Sequence, residues 1–464
     1  MSQLNSSFNS LCEAYRSRPC IDFSTRKNTL LKLEKAVLKY EEALIDAVSQ
    51  DFGHRSSDET RLFEITTTIS DVRYNRKQLK RWMKPRSIKT PIQFMPAKAE
   101  LYPQARGVVG IISPWNFPIY LTLAPLAAAL AAGNRVMIKP SELTPKTSDL
   151  LSNMLHEIFN ENEVVVINGD AEIAAEFSSL AFDHLLFTGS TSVGRKVAQA
   201  AAKNLTPVTL ELGGKSPAII TRSANIEKAA ERIAWGKSAS AGQICVAPDY
   251  VLIEQTKLAD FRKSFIEKLD TLFPDKMNSS DYSAIISQRH YQRLVDMRKE
   301  VTAIGVEVVM FGEDNGEAHK LAPTLVINPP VDCALMQEEI FGPILPVITY
   351  DQMDDAHRFV TSKEHPLALY LFSEDKADHT FWRENSLSGA LTINDTVIHV
   401  SFDTLPFGGV GHSGMGAYHG EAGFNTFSHL KPVVKQARFN GMFLALPPYG
   451  GWKSRALNWL RTII

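Results

Sequence analysis

Cysteine is scarce in this chain. Four occur among 464 residues, Cys12, Cys20, Cys245 and Cys333; none forms a CxxC pair, and none has histidines nearby at metal-ligand spacing. A disulfide scaffold and a zinc module are thereby excluded, no metal site is expected, and the thiols read as reduced in a cytoplasmic protein. Neither sign of charge dominates, with 50 Lys and Arg against 51 Asp and Glu. The basic excess of a nucleic-acid binder is missing, so nucleic acid is not an expected partner. Long apolar runs are missing too. The most apolar stretch, 119–132, falls short of the ~20 residues of a membrane span and contains Pro125. The opening residues, MSQLNSSFNSLCEAYRSR, lack the apolar core of a secretory signal. Repeats, low-complexity tracts and long linkers are also lacking.

What remains is ordinary globular composition, 44% hydrophobic and 22% charged, at a length suited to two or three domains. In residues 26–86, Leu30, Leu31, Leu33, Val37, Leu38 and Leu44 recur at helical spacing among Lys and Glu, which predicts helices. Within them Arg73–Arg86 carries seven basic residues and no acid. It reads either as an anionic-surface patch or as a solvated helix face with Leu79 and Trp82 turned inward. From about 105, short apolar runs alternate with helical stretches: 107–113, 134–140, 163–169, 183–189, 208–212 and 216–221, then 250–254, 307–312 and 343–350. Buried strands alternating with helices predict a mostly parallel, doubly wound α/β fold with a second α/β unit beyond 250. The stretch 91–107 alternates apolar and polar residues and predicts a projecting hairpin.

Several residues have chemical potential. A literal GxGxxG at Gly409–Gly414 follows Leu-Pro-Phe rather than a strand, so it reads as a flexible Gly-rich loop. The turn Gly189-Ser-Thr-Ser-Val-Gly194 does follow an apolar strand and open a helix, whose N-terminus can hold a pyrophosphate. An ordinary strand–turn–helix corner fits it equally. Cys245 lies among small residues that let a substrate approach, as a nucleophile or simply as a small buried hydrophobe. Glu211 ends an apolar strand, where α/β sheets bind ligands, or serves as a cap.

Taken together, these segments resemble the aldehyde dehydrogenase superfamily over nearly the whole chain. The motifs are Ser113-Pro-Trp-Asn-Phe-Pro118, Lys139-Pro-Ser-Glu142, Phe187-Thr-Gly-Ser-Thr-Ser-Val-Gly194, Glu211-Leu-Gly-Gly-Lys215, Gly242-Gln-Ile-Cys245, Glu339-Ile-Phe-Gly-Pro343 and Pro406-Phe-Gly-Gly409. The position of Ser-Pro-Trp-Asn near residue 115 and the ending 405–429 look like the class 3 branch. Within it 51–56, Lys80–Arg86 and 242–252 are most similar to bacterial coniferyl aldehyde dehydrogenases, with fatty aldehyde dehydrogenases as close relatives.

The resemblance implies a Rossmann-like cofactor domain, 1–210 with about 395–425, that includes the small oligomerisation hairpin about 91–107. It implies an α/β catalytic domain over 211–394, and an oligomerisation strand with an amphipathic tail over 426–464. It implies oxidation of a hydrophobic or aromatic aldehyde to its acid. Cys245 would be the nucleophile, with the Asn116 amide and the Cys245 N–H holding the oxyanion. Glu211 would be the base for the hydrolytic water. Ile112, Pro114, Trp115 and Leu212 would lie along the cofactor, and Lys139 and Glu142 at ribose hydroxyls. Gly189, Ser190 and Gly194 would take the pyrophosphate, and Glu339 the nicotinamide ribose beside Phe341. The Glu142 carboxylate disfavours a 2′-phosphate, which points to NAD with NADP as the alternative.

A homodimer is implied, built through the hairpin and 432–438. In the tail, Trp452, Ala456, Trp459, Leu460, Ile463 and Ile464 share one helical face opposite Arg455, Asn458 and Arg461. Such a face suits a partner subunit or peripheral membrane contact. The substrate pocket is expected from Asn116–Leu121, Ile244, Val246 and 394–407, with Tyr120, Phe402 and Phe407 favouring an apolar aldehyde. A fatty aldehyde fits the same lining. Coenzyme A as acyl acceptor is disfavoured by the base Glu211, and a catalytically idle family member by the presence of Cys245, Glu211 and Asn116.

Overall fold

In the computed structural model, which describes residues 3–463, strands alternate with helices and gather into three sheets. Strand β1 (Arg86–Ile88) and β2 (Lys98–Ala105) pair antiparallel. Next come β3 (Val108–Ile112), β4 (Arg135–Lys139), β5 (Val164–Val166), β6 (His184–Thr188) and β7 (Val208–Glu211), all parallel, in the order β7-β6-β3-β4-β5. Their apolar runs do not alternate with polar residues because helices cover both faces. Val109 and Ile111 join the core around the helix Tyr120–Ala132, whereas Val108 and Ile112 join the core that includes Leu4, Phe8 and Leu11 of the helix Gln3–Ser17. Tyr120–Ala132 is buried along its whole length, so its last carbonyls have no water. Arg26 Nη1 supplies the missing donor, to Ala131 O at 3.0 Å and Ala132 O at 2.7 Å.

The chain steps outward from β3 to β4 and β5, then returns to β6 on the other side of β3. The order therefore reverses between β3 and β6, and the carboxyl ends of these two strands open a crevice.

A second sheet follows: β8 (Pro217–Ile220), β9 (Tyr250–Glu254), β10 (Glu307–Met310), β11 (Thr324–Ile327), β12 (Ile344–Tyr350), β13 (Ala368–Phe372) and β14 (Ala390–Ile393), in the order β10-β11-β12-β9-β8-β13-β14. Only β10 runs antiparallel to its neighbour. The segment Ala239–Val246 lies between the helix Ile226–Ser238 and β9.

Two expectations change. The Gly-rich loop is not free: β15 (Gly414–Met415) docks antiparallel on the edge of β7, with Gly414 opposite Glu211. The stretch 91–107 is not itself a hairpin. It holds one arm, β2, while the other arm is β1 at 86–88 and the third strand is β16 (Ser428–Lys435), which pairs with β2 from Ser428↔Ala105 to Lys435↔Lys98. Alternation alone cannot tell where an arm turns, and the short β1 holds only three residues.

In the basic stretch, Leu79 and Trp82 are buried, Arg73 and Arg76 both pair with Glu34, and Arg81 pairs with Glu421. The tail forms the helix Gly451–Ile463 with Trp452 and Trp459 exposed; Ile464 lies outside the described residues. Among the described residues, no helix is long and apolar enough to cross a membrane, and no cluster of His, Cys, Asp and Glu could hold a metal ion.

Candidate active site

The carboxyl ends of β3, β6 and β7 and the loops of the second sheet enclose one cleft. Of the residues singled out by sequence, Pro114, Trp115, Asn116, Gly189, Ser190, Glu211, Leu212, Cys245, Glu339 and Phe341 line it. Strand register explains the first group. Ile112 pairs with Lys139 on one side and Phe187 on the other, and Thr188 pairs with Glu211, so all four chain ends emerge at one level. Gly189 N–H donates to Glu211 O at 3.0 Å, closing β6 against β7.

Asn116 is buried, and its Nδ2 donates to Gln243 O at 3.1 Å, two residues before Cys245. The approach to Cys245 runs through Ser240, Ala241 and Gly242, all at positive φ (47°, 50° and 74°). Burial pushes the Cys245 thiol up to about 12, and the charges of Glu339 and Glu211 push the same way; the N–H groups of Cys245 and Val246 oppose them. Glu211 is fully buried and neither carboxylate oxygen has a hydrogen-bond partner. Burial alone holds its carboxyl well above the ordinary range.

Glu339 differs. Burial and Asp249 push it up to about 8, while the Gly214 N–H, Lys215 and Arg293 favour its ionised form. A Cβ at Gly213 would lie 2.1 Å from a Glu339 carboxylate oxygen, so only glycine lets that carboxylate lie against the backbone. Trp115 packs edge-on against Phe341 at 5.4 Å and lies tilted against His290 at 5.3 Å.

Four expected cofactor residues stand back from the lining. Ile112 is buried beneath it. Lys139 is buried, with Nζ donating to Pro140 O at 2.7 Å and to the half-exposed Glu142 at 3.4 Å; burial lowers its ammonium. Gly194 is inside the helix Thr191–Ala202, where a Cβ would meet Leu212 Cδ2 at 2.6 Å. It lets the helix press on Leu212 rather than facing the cleft. The expected substrate lining is also redrawn. Leu121 does line the cleft, but Tyr120 is buried with its hydroxyl 3.0 Å from His419 Nε2, and Phe407 is buried against His399 and His419. Ile244 and Val246 are buried, and Phe402 is exposed.

Sequence reasoning missed Thr188, Gly213, His290 and Arg293, all in the lining. Thr188 and Gly213 sit inside motifs that were quoted. His290 and Arg293 come from the helix Gln288–Ala303, which bears no motif; Arg293 donates to the carbonyls of Glu339 and Ile340.

The residues fit a nicotinamide dinucleotide. A helix N-terminus capped by Ser190 opens at the end of β6, the Thr188 hydroxyl is buried without a partner beside it, and Glu339 offers a carboxylate to ribose hydroxyls.

Comparison with known proteins agrees. Residues 4–433 match the model of the aldehyde dehydrogenase family. The chain is 47% identical to a probable coniferyl aldehyde dehydrogenase of Pseudomonas aeruginosa, covering 97% of this chain and 94% of that one. It is 41% identical to the 4,4'-diaponeurosporen-aldehyde dehydrogenase of Staphylococcus aureus, covering 93% of each. Its fold superimposes on a Staphylococcus aureus AldH, solved in a substrate-bound state, with a TM-score of 0.95 at 39% identity, over 99% of this chain and all of that one. The chain belongs to the aldehyde dehydrogenase family.

Proposed function

We propose that the enzyme oxidises an apolar aromatic aldehyde, of which coniferaldehyde is the model, to its carboxylic acid with NAD. The observation that carries the reading is Glu211: a buried carboxylate with no partner, in the same cleft as Cys245 and Asn116. The substrate assignment is supported by the coniferyl aldehyde dehydrogenase relatives, and Leu121 gives the lining an apolar side chain that suits it.

The ionised Cys245 Sγ adds to the aldehyde carbon, and the carbonyl oxygen becomes an oxyanion held by Asn116 Nδ2–H and the Cys245 N–H. Bound NAD would accept a hydride, and its cationic ring would favour the ionised thiol. Cys245 then carries the acyl group as a thioester. Glu211 takes a proton from water, the hydroxide adds to the thioester carbon, and the C–S bond breaks to release the acid and return Cys245. One aldehyde and one water thus yield one carboxylic acid, with two electrons leaving on the cofactor.

Residues 1–210 with 395–425 form the cofactor unit in this reading and 211–394 the catalytic unit. Glu142, half-exposed beside Lys139, supports NAD over NADP, because a 2′-phosphate would meet a like charge. The outer edge of β16 supports a homodimer, since the order β1-β2-β16 leaves it unpaired among the described residues. Light scattering on a sizing column tests the dimer.

The functional test follows NADH fluorescence over coniferaldehyde, benzaldehyde and decanal with NAD and NADP. Coniferaldehyde and NAD should give the highest kcat/KM. A preference for decanal would replace the aromatic assignment with a fatty one, and silence on every aldehyde would overturn the reaction.

A further inference from the structure

One short segment ahead of the catalytic loops has no role so far. Arg55, Glu59 and Glu64 come from ten consecutive residues, and none of them lines the cleft. Side chains of Arg55 and Glu64 are fully inaccessible to solvent, and they pair at 3.2 Å. Arg55 is further enclosed by the rings of Phe52 and Phe117, 5.1 Å and 4.6 Å from its guanidinium carbon. Burying such charges is costly, and a fold that needs only an apolar core does without them.

Their hydrogen bonds show where they act. Arg55 Nη1 donates to Asn116 O at 2.8 Å. A Glu64 oxygen accepts from the N–H groups of Ile119 (2.7 Å) and Tyr120 (3.2 Å), where the Asn116 loop enters the helix Tyr120–Ala132. Glu59 grips the other loop. One of its oxygens accepts from Ser240 N–H at 2.6 Å, at the first of the three positive-φ residues leading to Cys245, and the other accepts from Ser283 Oγ at 2.6 Å.

The helix carrying the two glutamates is adapted to this double grip. On a regular α-helix, residues five apart point about 140° away from each other. Here the π-turn Arg61–Thr66 interrupts the helical run between Ser57–Thr60 and Thr67–Trp82, adding a residue to the winding between Glu59 and Glu64. π-turns of this kind are frequent at functional sites.

We infer that Arg55, Glu59 and Glu64 are positioning residues that clamp the two loops of the oxyanion hole, fixing the Asn116 amide against the Cys245 backbone. Arg55 and Glu64 hold the Asn116 arm, and Glu59 holds the Cys245 arm. Burial raises the carboxyls of Glu59 and Glu64, and Arg55 is the cation whose charge opposes that shift in both. The clamp acts on formation of the acyl-enzyme, because the oxyanion forms there. It rests on the reading of Asn116 and Cys245 given above.

The test measures the NADH burst, the KM for NAD and the melting temperature in Arg55→Met, Arg55→Lys, Glu59→Gln and Asn116→Ala, with Arg55→Met also placed in the Asn116→Ala background. Misplacing a reacting group by about 1 Å costs on the order of 100-fold, so Glu59→Gln and Arg55→Met should slow the burst by about that factor. The KM for NAD should stay within about twofold, the pattern of an interaction made in the transition state. Arg55→Lys, which keeps a donor for Asn116 O, should recover part of the loss. In the Asn116→Ala background Arg55→Met should add nothing further, since the group it positions is gone.

Wild-type bursts in folded Arg55→Met and Glu59→Gln, beside a slow Asn116→Ala, would overturn the clamp alone. So would a loss that carries over undiminished into the Asn116→Ala background. An intact burst in Asn116→Ala would instead overturn the oxyanion reading, and the Arg55 arm with it. Should the charge-changing variants not fold, Ser283→Ala removes one hydrogen bond to Glu59 and leaves every charge in place. It should slow the burst by about tenfold, and an unchanged burst there would overturn the Glu59 arm.

Discussion

Two carboxylates enter the cleft, one from each sheet, Glu211 buried and Glu339 partly exposed, and their surroundings are unlike. Glu339, just before β12, has the Gly214 N–H, Lys215 and Arg293 to favour its charge. Glu211, at the end of β7, has no hydrogen-bond partner and no compensating cation. A supported carboxylate suits a standing task, such as accepting ribose hydroxyls. An unsupported one is suited to a transient partner, because its proton affinity is high and nothing in the protein competes for its oxygens. The burial that destabilises Glu211 as an ion makes it a capable base, and the fold offsets the cost elsewhere.

Several experiments would break or sharpen this contrast. The largest effect is expected for Cys245→Ala, which removes the nucleophile; turnover should fall on the order of 10⁴-fold or more in a steady-state assay. Asn116→Ala should cost about 100- to 1,000-fold in the rate of the NADH burst, as for loss of one oxyanion donor. Glu211→Gln should leave the burst in place and lower the later steady rate by about 100- to 10,000-fold, the range of general-base catalysis. Equal loss in burst and steady rate would remove the distinction between the two carboxylates.

Glu339 should act on binding instead. Burial pushes its carboxyl up to about 8, so the ionised form gains as pH rises through that value. A carboxylate accepting ribose hydroxyls binds better ionised, so NAD affinity measured by fluorescence quenching should strengthen between pH 7 and pH 9. Glu339→Gln should flatten that profile. The thiol gives a second pH test. With the Cys245 thiol pushed up to about 12, its alkylation by iodoacetamide in the cofactor-free enzyme, followed on the peptide that contains it, should be slow at neutral pH and climb steadily as pH rises, because only the thiolate reacts. Added NAD should move that limb to lower pH. The smallest effect is expected for Gly213→Ala, whose Cβ displaces Glu339; the KM for NAD should rise several-fold, on the order of one lost hydrogen bond, with the burst unchanged.

Legibility followed the physics of each element. Strands β3 to β10 and β12 were readable because their apolar runs lie between turns. Strands β11, β13 and β14 passed unread although β11 and β13 are just as buried; β1 and β15 have three and two residues and exist only through their neighbours. Cys245, Glu211 and Asn116 could be chosen from motifs, and the fold brings all three to one cleft. Tyr120 could not be placed, because helix phase decides whether it faces the cleft or His419. His290, Arg293 and the trio Arg55, Glu59 and Glu64 lie far from the catalytic motifs in sequence, and only tertiary structure delivers them.

The measurement that tests the account most directly is mass spectrometry of Glu211→Gln after mixing with NAD and coniferaldehyde. The account predicts a protein carrying one acyl group, mapped to the peptide that contains Cys245, together with one equivalent of NADH. Unmodified protein that nonetheless turns over at the wild-type rate would contradict it.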